Sequence, residues 1–358
     1  MTWTLSMMLT RMLAARFVMV LAGVSIFVLT LDVVTYAPEV LALHNDELSS
    51  VFKYALLRLP GVASSFIGIA ALLAMLLVLT ELSHRSELVS IWNTGISQFR
   101  LILIIGPIAM AIGAFHFLID DQAVPGAAPT LHKWGIGDYS GKKLNVGEED
   151  PIWLRSGNDI LRAVKANPQA TSLTNVTIFR RDAAGILTEQ IIAKSAEQVE
   201  GRWELSDVVI YYRENLAPSR VNRMIYSGLL RPAAAGTRSG DPEEMTSGDL
   251  QYFIDNAGFG IRPGYVYETW QQKRFTLFFV AFLMVLISVP LSVRFRRGGG
   301  LGQMFAIGVG LGFAFFIFEG ISMTMGELGL VPPWMAAWMP LMVFAGAATA
   351  IAISQESL

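Results

Sequence analysis

Cysteine is absent from the 358 residues, and charge is scarce. Without thiols there can be no disulfide, no thiolate metal site and no cysteine nucleophile. A domain facing an oxidising compartment must then be held by packing alone. Charged residues make up only 16% of the chain, against about 25% in an ordinary soluble domain. The formal net charge of -2 excludes a global attraction to nucleic acid. Chemical signatures are missing as well. No G-x-x-x-x-G-K-[ST], H-E-x-x-H or G-x-S-x-G string occurs, and the glycine run at 298–302 lacks the Lys and hydroxyl that hold phosphate and Mg²⁺, so it reads as a turn. Four histidines, His44, His84, His116 and His132, lie far apart. They read as isolated surface or interfacial residues and not as a metal site. No metal, cofactor or catalytic group is expected.

What the chain has in abundance is apolar length. Runs at about 13–34, 61–79, 101–118, 275–293, 304–325 and 334–353 each approach or exceed the roughly 20 residues that cross a bilayer. The first run is opened by Arg11 and Arg16. It is too long for the apolar segment of a signal peptide and has no small-x-small site after it, so it reads as a retained first helix. Three helices therefore precede a polar segment and three follow it. The domains expected are 1–119, 120–270 and 271–358.

Basic residues in short loops orient such a chain. Arg11 and Arg16, the 80–100 loop with Arg85 and Arg100, and the later loop with Arg294, Arg296 and Arg297 all fall on one side if there are six spans. That side is read as cytoplasmic, with both termini inside and the polar segment outside. Lys53 and Arg58 weaken the rule slightly, and their connection can be a continuing amphipathic helix.

The polar segment opens on Pro125, Gly126, Pro129, Gly135, Gly137 and Gly141, which are loop signals. Its period then becomes two: 176–180, 187–193 and 202–208, extended to 212, read as strands, with turns at 182–185 and 200–201. Strands at this spacing predict a sandwich or roll. The stretch 231–248 reads as a loop, and 247–256 as a short helix capped by Ser247. The fold class expected is α+β, an inserted β domain between two sets of three transmembrane helices.

The loop at about 81–99 is amphipathic. Leu82, Leu88, Val89, Trp92, Ile96 and Phe99 fall near one helical face, with Gly95 placed for a turn. Such a helix either lies in the membrane interface or docks a cytoplasmic partner. The fifth run has Gly302, Ala306, Gly310 and Ala314 at four-residue spacing, plus Gly308 and Gly312. Small residues at this spacing let helices approach closely, either within this chain or against another. Asp32 sits late in the first run, where it can reach the interface, and Glu319 lies well inside the fifth; charge in a span usually faces a cavity or a partner. Glu327 reads as a solvated loop residue. Lys273 and Arg274 beside Trp270 read either as an interfacial belt or as contacts for anionic headgroups.

Together these residues resemble the LptF/LptG family, the permease subunits of the lipopolysaccharide export ABC transporter, over nearly the whole chain. The resemblance is carried by Arg85-Ser86-Glu87-Leu88-Val89 followed by Gly95, similar to the family's coupling helix. It is carried also by Gly201-Arg202-Trp203-Glu204-Leu205-Ser206-Asp207, similar to its G-x-W-x-L-x-D strand, by Trp153, and by the fifth helix and its exit. The R-S-E-L-V form and the length favour the LptG-like branch. The resemblance implies a β-jellyroll as the outer domain, in the periplasm of a bacterium, and an inner-membrane location. It implies an LptF-like permease as partner, an LptB-like cytoplasmic ATPase dimer, an LptC-like bitopic protein, an LptA-like periplasmic bridge, and lipopolysaccharide as cargo. By position, Arg85, Ser86, Glu87, Leu88, Val89, Trp92 and Gly95 would couple to the ATPase, with Glu87 the leading acid. Asp32, Gly310 and Glu319 would lie at the gate. Some members carry a lysine late in the first helix, where this chain has only Asp32; Lys53, Arg58, Lys273 and Arg274 are then the candidates for lipid phosphate. A membrane-anchored lipid-binding, assembly or sensor protein without an ATPase is the alternative, and an intramembrane enzyme finds no support in the spans.

Overall fold

The computed structural model describes residues 2–43, 47–142, 151–167, 170–182, 185–199, 201–213, 217–228, 230, 241–256, 262–294 and 301–356. His44, Arg296, Arg297 and the glycines at 298–300 lie outside these residues, as do 231–240 of the expected loop. In chain order come α1 (Thr2–Leu43), α2 (Leu48–His84), the short α3 (Glu87–Asn93), α4 (Gln98–Leu118) and α5 (Val124–Trp134). Six strands follow: β1 (Ile152–Ser156), β2 (Asp159–Lys165), β3 (Ser172–Arg181), β4 (Leu187–Val199), β5 (Arg202–Tyr212) and β6 (Ser219–Tyr226). Then come α6 (Ser247–Asp255), α7 (Gly264–Arg294), α8 (Leu301–Glu327) and α9 (Pro333–Glu356). Six helices are long and apolar enough to cross a membrane, three before the sheet and three after it.

Most helices outrun their apolar cores. α1 and α2 reach Leu43 and Leu48, so the 34–61 connection is largely helical. The loop expected after the third span is also helix. A π-helical turn at Ile119–Ala123 joins α4 to α5, which contains Pro125, Gly126 and Pro129. Pro125 sits in the first turn of α5, where a missing N–H costs little. Extra residues in a π turn are the usual way a helix absorbs a local mismatch.

Two compact units result. One comprises 1–37, 58–124 and 268–358; the other comprises 38–57 and 125–267. The core of the first is apolar and interhelical. Leu9, Leu13 and Phe17 bury one face of α1 at four-residue spacing, against a cluster that includes Met75 and Leu79 of α2, Leu101 and Ile105 of α4, and Met284 and Val285 of α7. At Gly113, α4 comes so close to α7 that a Cβ would collide with the backbone of Phe278. The opposite side of α1 is bare, with Val18, Ile26, Phe27 and Val34 exposed, as suits a surface whose solvent is lipid.

The second unit is built on one antiparallel sheet in next-neighbour order, β1 to β6. Trp153 pairs with Arg162, Ile178 with Ile191, and Trp203 with Tyr226. Alternation buries Leu161, Ile178, Ile191, Trp203, Leu205 and Val208 in a single cluster. A β-bulge shifts the β2–β3 register between Arg162 and Val164. Asn175 and Asp207 take positive φ of 51° and 54°, interrupting two strands that flank β4. Asn and Asp are the non-glycine residues that tolerate this region best. Lys165 follows Leu161 and Ala163 on the buried side and is 3% exposed. Burial pushes its ammonium down to about 7. α6 is capped by Thr246, not Ser247: Thr246 and Asp249 form a reciprocal capping box. The helix closes the β1–β2 hairpin, where Tyr252 donates to the carbonyl of Arg155 and the Gly157 N–H donates to Asn256.

Candidate functional site

The loop between the second and third spans is tighter than a single amphipathic helix over 81–99. α2 runs to His84, and Ser86, with φ 58°, breaks it in the left-handed region. Only Glu87–Asn93 is an independent helix, and Gly95, with φ 80°, turns the chain into α4. Leu88 and Ile91 are the buried face of α3, joined by half-buried Trp92. Val89 is exposed instead, because the axis of so short a helix is set by Ser86 and Gly95 and not by a long apolar stripe. Glu87 is half-buried, whereas Ser90, Asn93 and Thr94 are exposed.

Arg85 is 62% exposed and pairs with Glu81 at 2.7 Å; Arg16 of α1 pairs with the other oxygen of the same carboxylate. Glu81 thus joins α1 to the end of α2 beside the loop.

Further along the same helices, Arg58 of α2 grips Asp32 of α1 with two hydrogen bonds, Nη2 to Oδ1 at 3.0 Å and Nε to Oδ2 at 3.2 Å. Two residues expected in separate roles are therefore one bidentate ion pair, with side chains 17% and 12% exposed. Such a pair keeps a carboxylate in an apolar span neutralised. Glu319 of α8 has neither an ion pair nor a hydrogen bond among the described residues. Gly310 faces open space, as do Gly302 and Gly320, while Gly308 and Gly312 meet Leu76 and Leu72 of α2. The small residues of α8 thus serve two flanks, one packed internally and one bare.

The remaining cations diverge. Lys273 lies 5.0 Å from the centre of the Trp270 ring, and Lys53 lies 5.9 Å from that of Trp134; both are cation–π contacts. Arg274 is 1% exposed and bonds to the side chain and carbonyl of Asp120, whose other oxygen accepts from Ser64 at 2.7 Å. Its charge is spent inside the helix bundle, so an open interfacial position for it is corrected. Asp120 and Ser64 were not singled out from sequence, although a carboxylate ending the third apolar run and an arginine opening the fourth was the available signal. Two further expectations change. His116 and His132 are buried, and His132 Nε2 lies 2.5 Å from Glu244 Oε2. Glu327 accepts from the indole of Trp270 at 2.5 Å.

Against this geometry, the family model described as lipopolysaccharide export system permease LptF/LptG matches residues 7–354. The chain belongs to the LptF/LptG family. Among curated relatives it is similar to the lipopolysaccharide export system permease protein LptG of Haemophilus influenzae, 22% identical over 302 residues, which cover 80% of this chain and 81% of that protein. It is also similar to the LptG of Escherichia coli K12, 23% identical over 296 residues with the same coverage of each. As a family member it is a multi-pass inner-membrane transport subunit with a β-sheet domain inserted between membrane helices.

Proposed function

We propose that the chain is the LptG-like half of a lipopolysaccharide export permease, driven by an ATPase that binds α3. The observation that carries this is the family match over 7–354; the geometry adds the parts. α3 is a short helix held by its buried face, leaving Val89 and Asn93 outward and Glu87 at the rim. A nucleotidase subunit seated there would move α3 as a unit. We assign this loop and both termini to the cytoplasm and the β domain to the periplasm, on the arginine-rich loops.

The bare flank of α8 and the exposed face of α1 support pairing with a second, LptF-like permease, since small residues allow close approach in lipid. The cargo would enter between the two permeases, with Asp32–Arg58 and Glu319 at the gate. Lys53 and Lys273 are the cations left for lipid phosphate, because Arg58 and Arg274 are committed to Asp32 and Asp120. A large amphiphile with charged sugars cannot pass through water without cover, and the apolar cluster inside the β domain would supply that cover once opened to acyl chains. Bitopic and bridging periplasmic partners would continue that cover.

The test is co-purification and coupled ATP hydrolysis. Glu87→Lys should lower ATPase association at least about tenfold, roughly the effect of losing one well-placed charge contact. Lipid release from reconstituted vesicles should require ATP and the partner. Full coupling in Glu87→Lys would remove Glu87 from the docking role; lipid release without any ATPase would favour an anchored lipid-binding protein.

A further inference from the structure

The first turns of α1, the loop helix α3 and the start of α4 enclose a cavity of about 490 Å³, within the range of small-ligand sites. Its walls divide by chemistry. Leu5, Met8 and Ile91 supply an apolar side, and Ser90, Thr94 and Arg100 supply a polar one. The side chain of Arg100 makes no ion pair or hydrogen bond among the described residues, in contrast to Arg16 and Arg85, which share Glu81. Arg100 also sits in the first turn of the 21-residue α4, capped by Ser97 and without an acidic residue in that turn. The positive end of the helix therefore adds to the guanidinium without being offset.

Ser90 and Thr94 donate their hydroxyl protons to the carbonyls of Ser86 and Ile91, so the donors left for an anion are the exposed, unspent guanidinium and the helix N-terminus. Set against an apolar wall, they describe a site for an amphiphile with one anionic head. Beside the cavity, Trp3 and Met7 are 80% and 66% exposed on α1, so an alkyl stem leaving it would continue along apolar surface in the membrane. We propose that this cavity holds the phosphate headgroup of an anionic phospholipid, with Arg100 carrying the contact. Since Ser90, Ile91 and Thr94 belong to α3 and its end, the bound lipid fixes the position of that loop helix. The site needs the chain in a membrane and not an active transporter, so it stands apart from the coupling reading.

The experiment is native mass spectrometry of the full-length chain titrated with phosphatidylglycerol, phosphatidylcholine or inorganic phosphate. Wild type should retain phosphatidylglycerol in preference to phosphatidylcholine. Arg100→Gln should weaken that retention about fivefold, the scale of one basic residue at a lipid surface, and Arg100→Lys should restore most of it. Ile91→Trp, which fills the cavity, should abolish it. Arg202→Gln, the loss of an exposed arginine on β5, should leave it unchanged. Equal retention by wild type and Arg100→Gln overturns the proposal, as does displacement by inorganic phosphate, which would make the site one for the free anion. Unchanged lipid retention with loss of ATPase binding in Arg100→Gln would assign the cavity to the protein partner and overturn it equally.

Discussion

Asp120 and Arg274 form a buried ion pair in which the arginine side chain is 1% exposed. Removing one member leaves an uncompensated charge, which typically costs about 3–5 kcal/mol. Asp120→Ala should therefore lower the thermal midpoint of the purified chain sharply, while the double change Asp120→Leu with Arg274→Met should recover most of the loss. Lys165 makes a second case. Its folded-state value near 7 lies below the usual lysine range of about 10.4. Between those values the unfolded chain carries a proton that the folded chain does not, so stability rises with pH across that window and flattens below about 7. Lys165→Met should raise the chemical-denaturation midpoint at pH 7 and abolish the slope between pH 7 and 10. Neither residue's state could be seen from sequence. Arg274 beside Trp270 has the pattern of an interfacial belt, and only the fold brings Asp120 to it from the far end of the inserted segment. Lys165 continues a strand alternation that gives no sign of where the sheet is covered.

At the scale of the element, α8 carries two kinds of small residue whose spacing alone does not separate them. Gly312 abuts Leu72, and Gly310 abuts nothing among the described residues. Gly312→Leu should destabilise the isolated subunit by about 1–3 kcal/mol, as overpacking does. Gly310→Leu should leave the subunit's midpoint unchanged while weakening its association with a second permease, read by co-purification of differently tagged copies. α3 was legible as an amphipathic stretch but not in its length, because Ser86 adopts a left-handed backbone that serine seldom takes. The helix through Pro125 and Pro129 was hidden for the opposite reason: both residues normally mark loops, and the π-helical turn that precedes them leaves no mark in composition.

For the whole molecule, six spans and an inserted sheet were plain in the sequence. Bilayer thickness imposes a minimum run of apolar residues, and strand alternation imposes a period of two, and both survive without any knowledge of tertiary contacts. What a single chain leaves open is the side of the membrane on which each part lies. The absence of cysteine makes this directly measurable. In intact spheroplasts, Val89→Cys on α3 and Ile225→Cys on β6, both at exposed positions, should be labelled by an impermeant maleimide from opposite sides: Ile225→Cys from the periplasm, and Val89→Cys only after permeabilisation. Reversed accessibility would invert the topology. Glu81 has a consequence of its own at this scale. One carboxylate is divided between Arg16 of α1 and Arg85 at the hinge of α3, each on its own oxygen, so the loop and the first helix are tied through a single side chain, and the loss of Glu81 would untie both at once.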